Sequence, residues 1–276
     1  MICEQLKLKD AFPQLGNDGC DPELALYLPT NLSEMGRQSD LRPGILICPG
    51  GGYAMVSQRE AEPIALKFLS EGYNVFVLTY SVAPHCFPTQ LREVAAAMEL
   101  IYQNAKKWHV DTGRIAIMGF SAGAHLSAHY STAYDCPEVR QMFPDSKPVQ
   151  ASILCYPVIT ADRMNWHLGS IVNVSGHAVP TDEDVERFSC ERLVTEKTPP
   201  AFLWHTAEDN VVPVMNSLLY AQALAAHNVS FALHIYPKGA HGLSTVDAMT
   251  NDSVDTHVAL AHDWLDAAKK WLQITL

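Results

Sequence analysis

Apolar runs and amphipathic stretches alternate along this chain from about residue 40 to its end. Ile45, Leu46, Ile47 and Cys48 form a short apolar run that stops at Pro49-Gly50-Gly51-Gly52. A run of that length closed by a glycine loop predicts a buried strand. Residues 74–80 are β-branched and aromatic, which is also strand-like. Leu91, Val94, Ala95, Met98, Ile101 and Tyr102 then recur at helical spacing and mark one apolar face of a long helix. The same reading predicts strands at 114–118, 151–156, 201–205 and 231–236. It predicts helices at 122–133 and 214–226 and a closing amphipathic helix at 254–272. Such alternation specifies an α/β fold, a mostly parallel central sheet with helices on both faces. The first forty residues carry short alternating runs, 24–28 among them, which predict antiparallel edge strands.

One segment breaks the rhythm. Residues 158–198 show weak periodicity and hold Trp166, His167, His177 and the acidic run Asp182-Glu183-Asp184. Long connections inside compact domains usually serve a site, so a cap-like insertion is expected here. With no internal repeat and no linker, residues 1–276 are read as one domain carrying that insertion.

Composition narrows the classes. Of 276 residues, 48% are hydrophobic and 18% charged, which excludes disorder. A chain of this length buries roughly three quarters of its unfolded surface without staples. Its 19 Lys+Arg against 30 Asp+Glu give a net charge of -11, which argues against nucleic acid as a partner. No run approaches the roughly 18 apolar residues of a membrane span. The start, Met1-Ile2-Cys3-Glu4, shows no basic segment followed by an apolar run, so a cytoplasmic protein is expected. Cys3, Cys20, Cys48, Cys86, Cys136, Cys155 and Cys190 are odd in number, scattered and without CxxC, which predicts reduced, buried thiols. The oligomeric state is left open, a homo-oligomer included.

The chemistry gathers where predicted strands end. Gly119-Phe120-Ser121-Ala122-Gly123 matches G-x-S-x-G in the required setting, after a strand and opening a helix. Small neighbours let the turn lift the Ser121 hydroxyl above the sheet. Acyl transfer places negative charge on a carbonyl oxygen, and backbone amides of Gly51, Gly52 and Ala122 are the candidate donors. A phosphate loop is a poor reading, because the lysine and hydroxyl of that motif are missing. Serine needs a histidine, and the histidine an orienting carboxylate. After the strand at 201–205 come Glu208 and Asp209; Asp209 is the candidate and Glu208 its rival. After the last strand, Gly239-Ala240-His241-Gly242 offers His241 as base, whereas His257 and His262 fall in the closing helix. His125 and His129 stand at i, i+4, but Leu126 follows His125 where a zinc protease has Glu, so packing behind the serine is expected and no metal. No cofactor is called for. Tyr53, Trp166 and His167 are candidate pocket walls.

These residues resemble the α/β-hydrolase esterases of the hormone-sensitive-lipase-like group. The likeness is strongest to the bacterial acetyl esterase and acetyl-xylan esterase (sugar hydrolase) branch, over about residues 40–275. It rests on Ile47 to Tyr53, Asp111 to Gly123, the turn from Asp209 to Pro213, Gly239 to Gly242, and Tyr80-Ser81-Val82-Ala83-Pro84 with Phe87, Pro88 and Leu91. The resemblance implies deacylation of small esters, acetylated xylo-oligosaccharides in that branch, with Ser121 as nucleophile, His241 as base and Asp209 as acid. The chain departs from the group in having Pro49 where His is usual, Phe120 where Asp is common and Ser81 in place of Arg.

The expected function is therefore a serine carboxylesterase that removes short acyl groups from a small-molecule ester. An arylformamidase-like amide hydrolase would use the same apparatus. A scaffold turned into a binding protein is disfavoured, because Ser121, Asp209 and His241 are all present.

Overall fold

The computed structural model describes residues 1–16, 19–252 and 258–276. Eight strands form one sheet among them: β1 (Ile2–Lys7), β2 (Glu23–Leu28), β3 (Arg42–Cys48), β4 (Asn74–Thr79), β5 (Val110–Phe120), β6 (Ala151–Cys155), β7 (Ala201–Thr206) and β8 (Phe231–Tyr236). Their spatial order is β1-β2-β4-β3-β5-β6-β7-β8. β1 and β2 pair antiparallel, as do β2 and β4. Every pairing from β4 through β8 is parallel. The expected α/β sheet with an antiparallel edge is thus present.

Strand alternation shows why the sheet needs both faces covered. Leu46, Phe76, Leu78, Ile115 and Ile117 pack into one core, whereas Ile45, Ile47, Val75, Val77, Ala116 and Met118 pack into another. Successive side chains point to opposite faces, and each strand is apolar at both parities. The first face is covered by α3 (Thr89–Trp108) and α4 (Ala122–Ala133), following the short α1 (Leu8–Ala11). The second is covered by α2 (Glu62–Leu69) and by α9 (Trp264–Thr275). The predicted face of α3 is the buried one: Leu91, Val94, Ala95, Met98 and Ile101 are at most 1% exposed, and Tyr102 is half-buried against the same core. Each large side chain so buried contributes roughly 2 kcal/mol.

Three expectations change. Residues 158–198 are not irregular: after the short α5 (Pro137–Arg140) they carry α6 (Leu168–Ser175), α7 (Asp182–Phe188) and a 3-10 turn at Cys190–Leu193. Helices of eight and seven residues are too short for periodicity to declare, but their ends are specified. Thr181 and Asp184 form a reciprocal capping box, and the acidic first turn of α7 suits the helix dipole. The closing helix begins at Trp264, after a 3-10 segment at Val258–Asp263 that holds His262. Such turns commonly lead into α-helices; residues 253–257, His257 included, lie outside the described residues. None of the seven cysteines is in a disulfide, but only Cys20, Cys48, Cys155 and Cys190 are buried; Cys86 and Cys136 are half-buried and Cys3 is exposed. Cys3 lies on the edge strand β1, which has no second neighbour among the described residues to cover it. No helix among the described residues is long and apolar enough to cross a membrane.

Candidate active site

Ser121 occupies the single residue between β5 and α4, with φ 52° and ψ −119°. Non-glycine residues rarely adopt this backbone, and such strain persists only where the surroundings hold it. Here the Ser121 amide donates to Cys155 O, and its carbonyl accepts from Val158 N. The flanking glycines follow from contact distances. A Cβ on Gly119 would lie 2.3 Å from Gly123 O, and one on Gly123 would lie 2.1 Å from Cys48 O.

The loops that follow β7 and β8 bring two more residues to this point. His241 Nε2 lies 2.8 Å from Ser121 Oγ, and His241 Nδ1 lies 2.6 Å from Asp209 Oδ2. Facing a carboxylate, Nδ1 carries the proton, which leaves Nε2 to accept from the hydroxyl. Asp209 Oδ1 accepts from the Val211 and Val212 amides at 2.9 Å each. Burial pushes its carboxyl up, but hydrogen bonds from His205 and His241, the charge of His241 and the Val212 amide outweigh that and hold it well below the usual range. Glu208 points elsewhere and pairs with Lys238 at the surface.

The glycine loop after β3 is fastened on several sides. Tyr80 donates its hydroxyl to Pro49 O at 2.6 Å, and the Gly50 amide donates to buried Glu60 at 2.8 Å. Asn173 Nδ2, on α6, donates to Gly52 O at 2.8 Å. Gly51 has φ 123°, and a Cβ there would meet Met55 O at 2.2 Å, so the loop requires glycine. Among the described residues no acceptor faces the amides of Gly51, Gly52 or Ala122. Ser121, His241, Gly51 and Gly52 all line one cavity of about 710 Å³. A hydroxyl, a base that can take its proton and unpaired amides beside it can together activate serine toward a carbonyl and receive the charge that develops.

Not every expected wall residue is there. His167 lines the cavity, with its Nδ1 accepting from Ser170 Oγ at 2.8 Å. Burial and the neighbouring His241 lower its pKa, against an opposing pull from Asp209. Tyr53 is fully buried instead: at φ 56° its side chain enters the core, and its hydroxyl donates to His125 Nδ1 at 2.9 Å. Trp166 is half-buried against the same core and does not line the cavity. His125 and His129 are buried on α4, the helix that Ser121 opens, and burial lowers them to about 4 and about 3. Among the described residues no group of His, Cys, Asp or Glu is placed to hold a metal.

Sequence reasoning missed four residues. His205, at the end of β7, donates Nε2–H to Val212 O at 3.0 Å and approaches Asp209 Oδ2 at 3.2 Å. Its Nδ1 accepts from Ser217 Oγ at 2.8 Å. Glu60 accepts from Gly50 N and, at 2.6 Å, from the Tyr156 hydroxyl. The Tyr156 ring packs edge-on against His241 at 5.1 Å. Asn173 is the fourth. Only His205 carried a local signal, a polar residue inside an apolar strand four positions before Asp209.

The departures from the esterase pattern have local partners. The Pro49 carbonyl is taken by Tyr80. Phe120 is buried against Tyr156 and Trp264. Ser81 donates its amide and hydroxyl to Glu93 at 2.7 and 2.5 Å.

Comparison with known proteins places these features. The family model BD-FAE matches residues 24–224. Endo-1,4-beta-xylanase B of Butyrivibrio fibrisolvens is 37% identical over 80% of this chain, and the acetylxylan esterase of Xylanibacter ruminicola is 34% identical over 83% of it. The chain spans only 35% and 45% of the lengths of these two curated relatives. Among solved structures, the acetyl ester-xyloside bifunctional hydrolase from Caldicellulosiruptor lactoaceticus superposes with a TM-score of 0.84 at 34% identity, covering 98% of this chain and 95% of that one.

Proposed function

This chain belongs to the BD-FAE family, and on that premise we propose that it is a serine carboxylesterase removing short acyl groups, acetyl first, from small esters such as acetylated xylo-oligosaccharides. One observation carries the reading: Ser121, His241 and Asp209 stand in a single hydrogen-bonded line at a cavity bordered by the unpaired amides of Gly51 and Gly52. The sugar class draws support from the acetylxylan esterase and the acetyl ester-xyloside hydrolase that resemble it.

In this reading Ser121 Oγ attacks the ester carbonyl as His241 Nε2 takes its proton. Charge moves to the carbonyl oxygen, which Gly51, Gly52 and Ala122 receive; each such donor lowers the barrier by roughly 3 kcal/mol. Asp209 holds Nδ1–H in place and stabilises the imidazolium. His241 then protonates the departing alcohol, activates water against the acyl-enzyme, and restores Ser121. A cavity of about 710 Å³ far exceeds a two-carbon acyl group and leaves space for a sugar alcohol.

The test is a burst measurement with 4-nitrophenyl acetate, followed by a rate series over acetyl, butyryl and octanoyl esters and an acetylated xylo-oligosaccharide. Wild-type protein should release about one equivalent of nitrophenol in the burst, and Ser121→Ala none. Rates should fall steeply with acyl length. Turnover retained by Ser121→Ala would exclude the mechanism, and a preference for octanoyl would exclude the acetyl reading. Faster cleavage of an N-formyl aryl amine would replace the ester by a formamide.

A further inference from the structure

The cavity wall holds one Lys or Arg among the described residues, Arg59. It lies in the 3-10 turn Gln58–Glu60. Its guanidinium rests on Gly242, the residue after His241: a Cβ there would come within 2.9 Å of an Arg59 terminal nitrogen. Among the described residues that guanidinium has no carboxylate and no hydrogen-bond acceptor; only the Arg59 backbone carbonyl is engaged, by Ser244 Oγ. The adjacent Glu60 is spent on Gly50 and Tyr156.

This is unusual in a chain with 30 acidic and 19 basic residues. Arg114, Arg163, Arg187 and Arg192 all pair with nearby acids. Arg59 instead presents an unpaired planar fork to the cavity, and such a fork matches carboxylate or phosphate in two parallel hydrogen bonds.

Its position fixes which half of the ester it meets. The carbonyl oxygen must face the glycine loop, where the free amides are. The departing alcohol must face His241 Nε2, which protonates it. Arg59 lies over Gly242, on the His241 side. We infer that the cavity selects esters whose alcohol half carries an anionic group, a carboxylate or a phosphate, engaged by Arg59. This rests on the esterase reading above and names its substrate more narrowly. The overall charge of -11 repels anions, so the preference is local to this side chain.

The experiment compares kcat/KM at low ionic strength for a neutral acetylated xylo-oligosaccharide, the same compound bearing a glucuronic acid branch, and an acetylated xylose phosphate. At least one anionic ester should be preferred over the neutral one by roughly fivefold to tenfold, the range of an accessible ion pair to a bidentate one. The arm that shows the preference identifies carboxylate or phosphate as the source. Arg59→Gln should bring that ratio near unity, and Arg59→Lys should retain part of it, since charge survives without the fork. Salt near 1 M should shrink the ratio, where the screening length falls to about 3 Å. A wild-type ratio at or below one for both anionic esters, or a preference that survives in Arg59→Gln, overturns the inference. Failure of all three esters to turn over counts against the esterase reading instead. In that event, binding of the deacetylated acidic oligosaccharide and of the sugar phosphate to wild type and Arg59→Gln decides the Arg59 question. Binding weakened by the variant supports it, and equal or absent binding refutes it.

Discussion

Replacing Glu93 with glutamine should remove a loss of stability that the protein otherwise suffers as pH rises. Glu93 is a fully buried side chain of α3 whose carboxylate accepts from the Ser81 amide and hydroxyl, with no cation paired to it among the described residues. Burial pushes its carboxyl from 4.5 up to about 7, against the lowering effect of the two Ser81 hydrogen bonds. A raised folded-state value means that the folded protein holds the proton longer than the unfolded chain. The stability from that proton is complete below the unfolded value near 4.5 and drains as pH rises from there to about 7. Over that interval the loss amounts to roughly 3 kcal/mol. Glutamine preserves both hydrogen bonds, one as acceptor and one as donor, and never ionises. Urea unfolding at steps from about pH 4 to pH 8 should show the two proteins nearly equal at the acid end and Glu93→Gln ahead by roughly 3 kcal/mol at the alkaline end. His125 and His129 titrate in both proteins and cancel in the difference. A difference that stays flat with pH, or a variant less stable at pH 8, would refute the argument. The site has a stake in the outcome, because Ser81 follows Tyr80, which holds the Pro49 carbonyl at the head of the glycine loop.

Two further substitutions probe the site directly. Asp209→Asn should lower kcat by about a thousandfold to ten-thousandfold with little change in KM, because an amide no longer fixes the proton on His241 Nδ1; steady-state kinetics on 4-nitrophenyl acetate checks it, and a loss below about tenfold would sink the assignment. Asn173→Ala releases the Gly52 carbonyl from α6 and should cost roughly fivefold to tenfold in kcat, the worth of one hydrogen bond. Weaker binding of a serine-reactive boronic acid should accompany that loss, and a rise in KM alone would make Asn173 a substrate contact instead.

What the sequence revealed follows from how far each signal reaches. Ile45 to Cys48, 74–80 and 114–118 were legible because buried parallel strands are apolar at both parities and end in glycine-marked turns. Ser121, Asp209 and His241 were legible as candidates because each sits one to five residues past a strand end, and the parallel sheet carries all such ends to one edge. Tyr53 misled, because its side-chain direction depends on a positive φ that no local pattern announces. Glu60, Asn173 and Arg59 look like ordinary surface residues in one dimension. Each acquires its role only through contacts with Gly50, Gly52 or Gly242 that the fold supplies.

The two halves of the proposed chemistry share their supports. On the acid–base side, both oxygens of Asp209 are saturated, one by two backbone amides and the other by His241 and His205. The carboxylate therefore has little freedom to turn away from the base. On the oxyanion side, the glycine loop is fixed by Tyr80, Glu60 and Asn173. Glu60 joins the two halves. One of its oxygens holds the Gly50 amide, and the other holds the Tyr156 hydroxyl, whose ring packs against His241. That hydroxyl in turn accepts from Ser244 N, three residues beyond His241. A shift of the glycine loop therefore reaches the imidazole through one buried carboxylate and one aromatic ring. Electrostatic catalysis depends on donors that are already in place when charge develops. In the proposed chemistry, buried Glu60 and Tyr156 tie the loop that would supply those donors to the imidazole that would act as base.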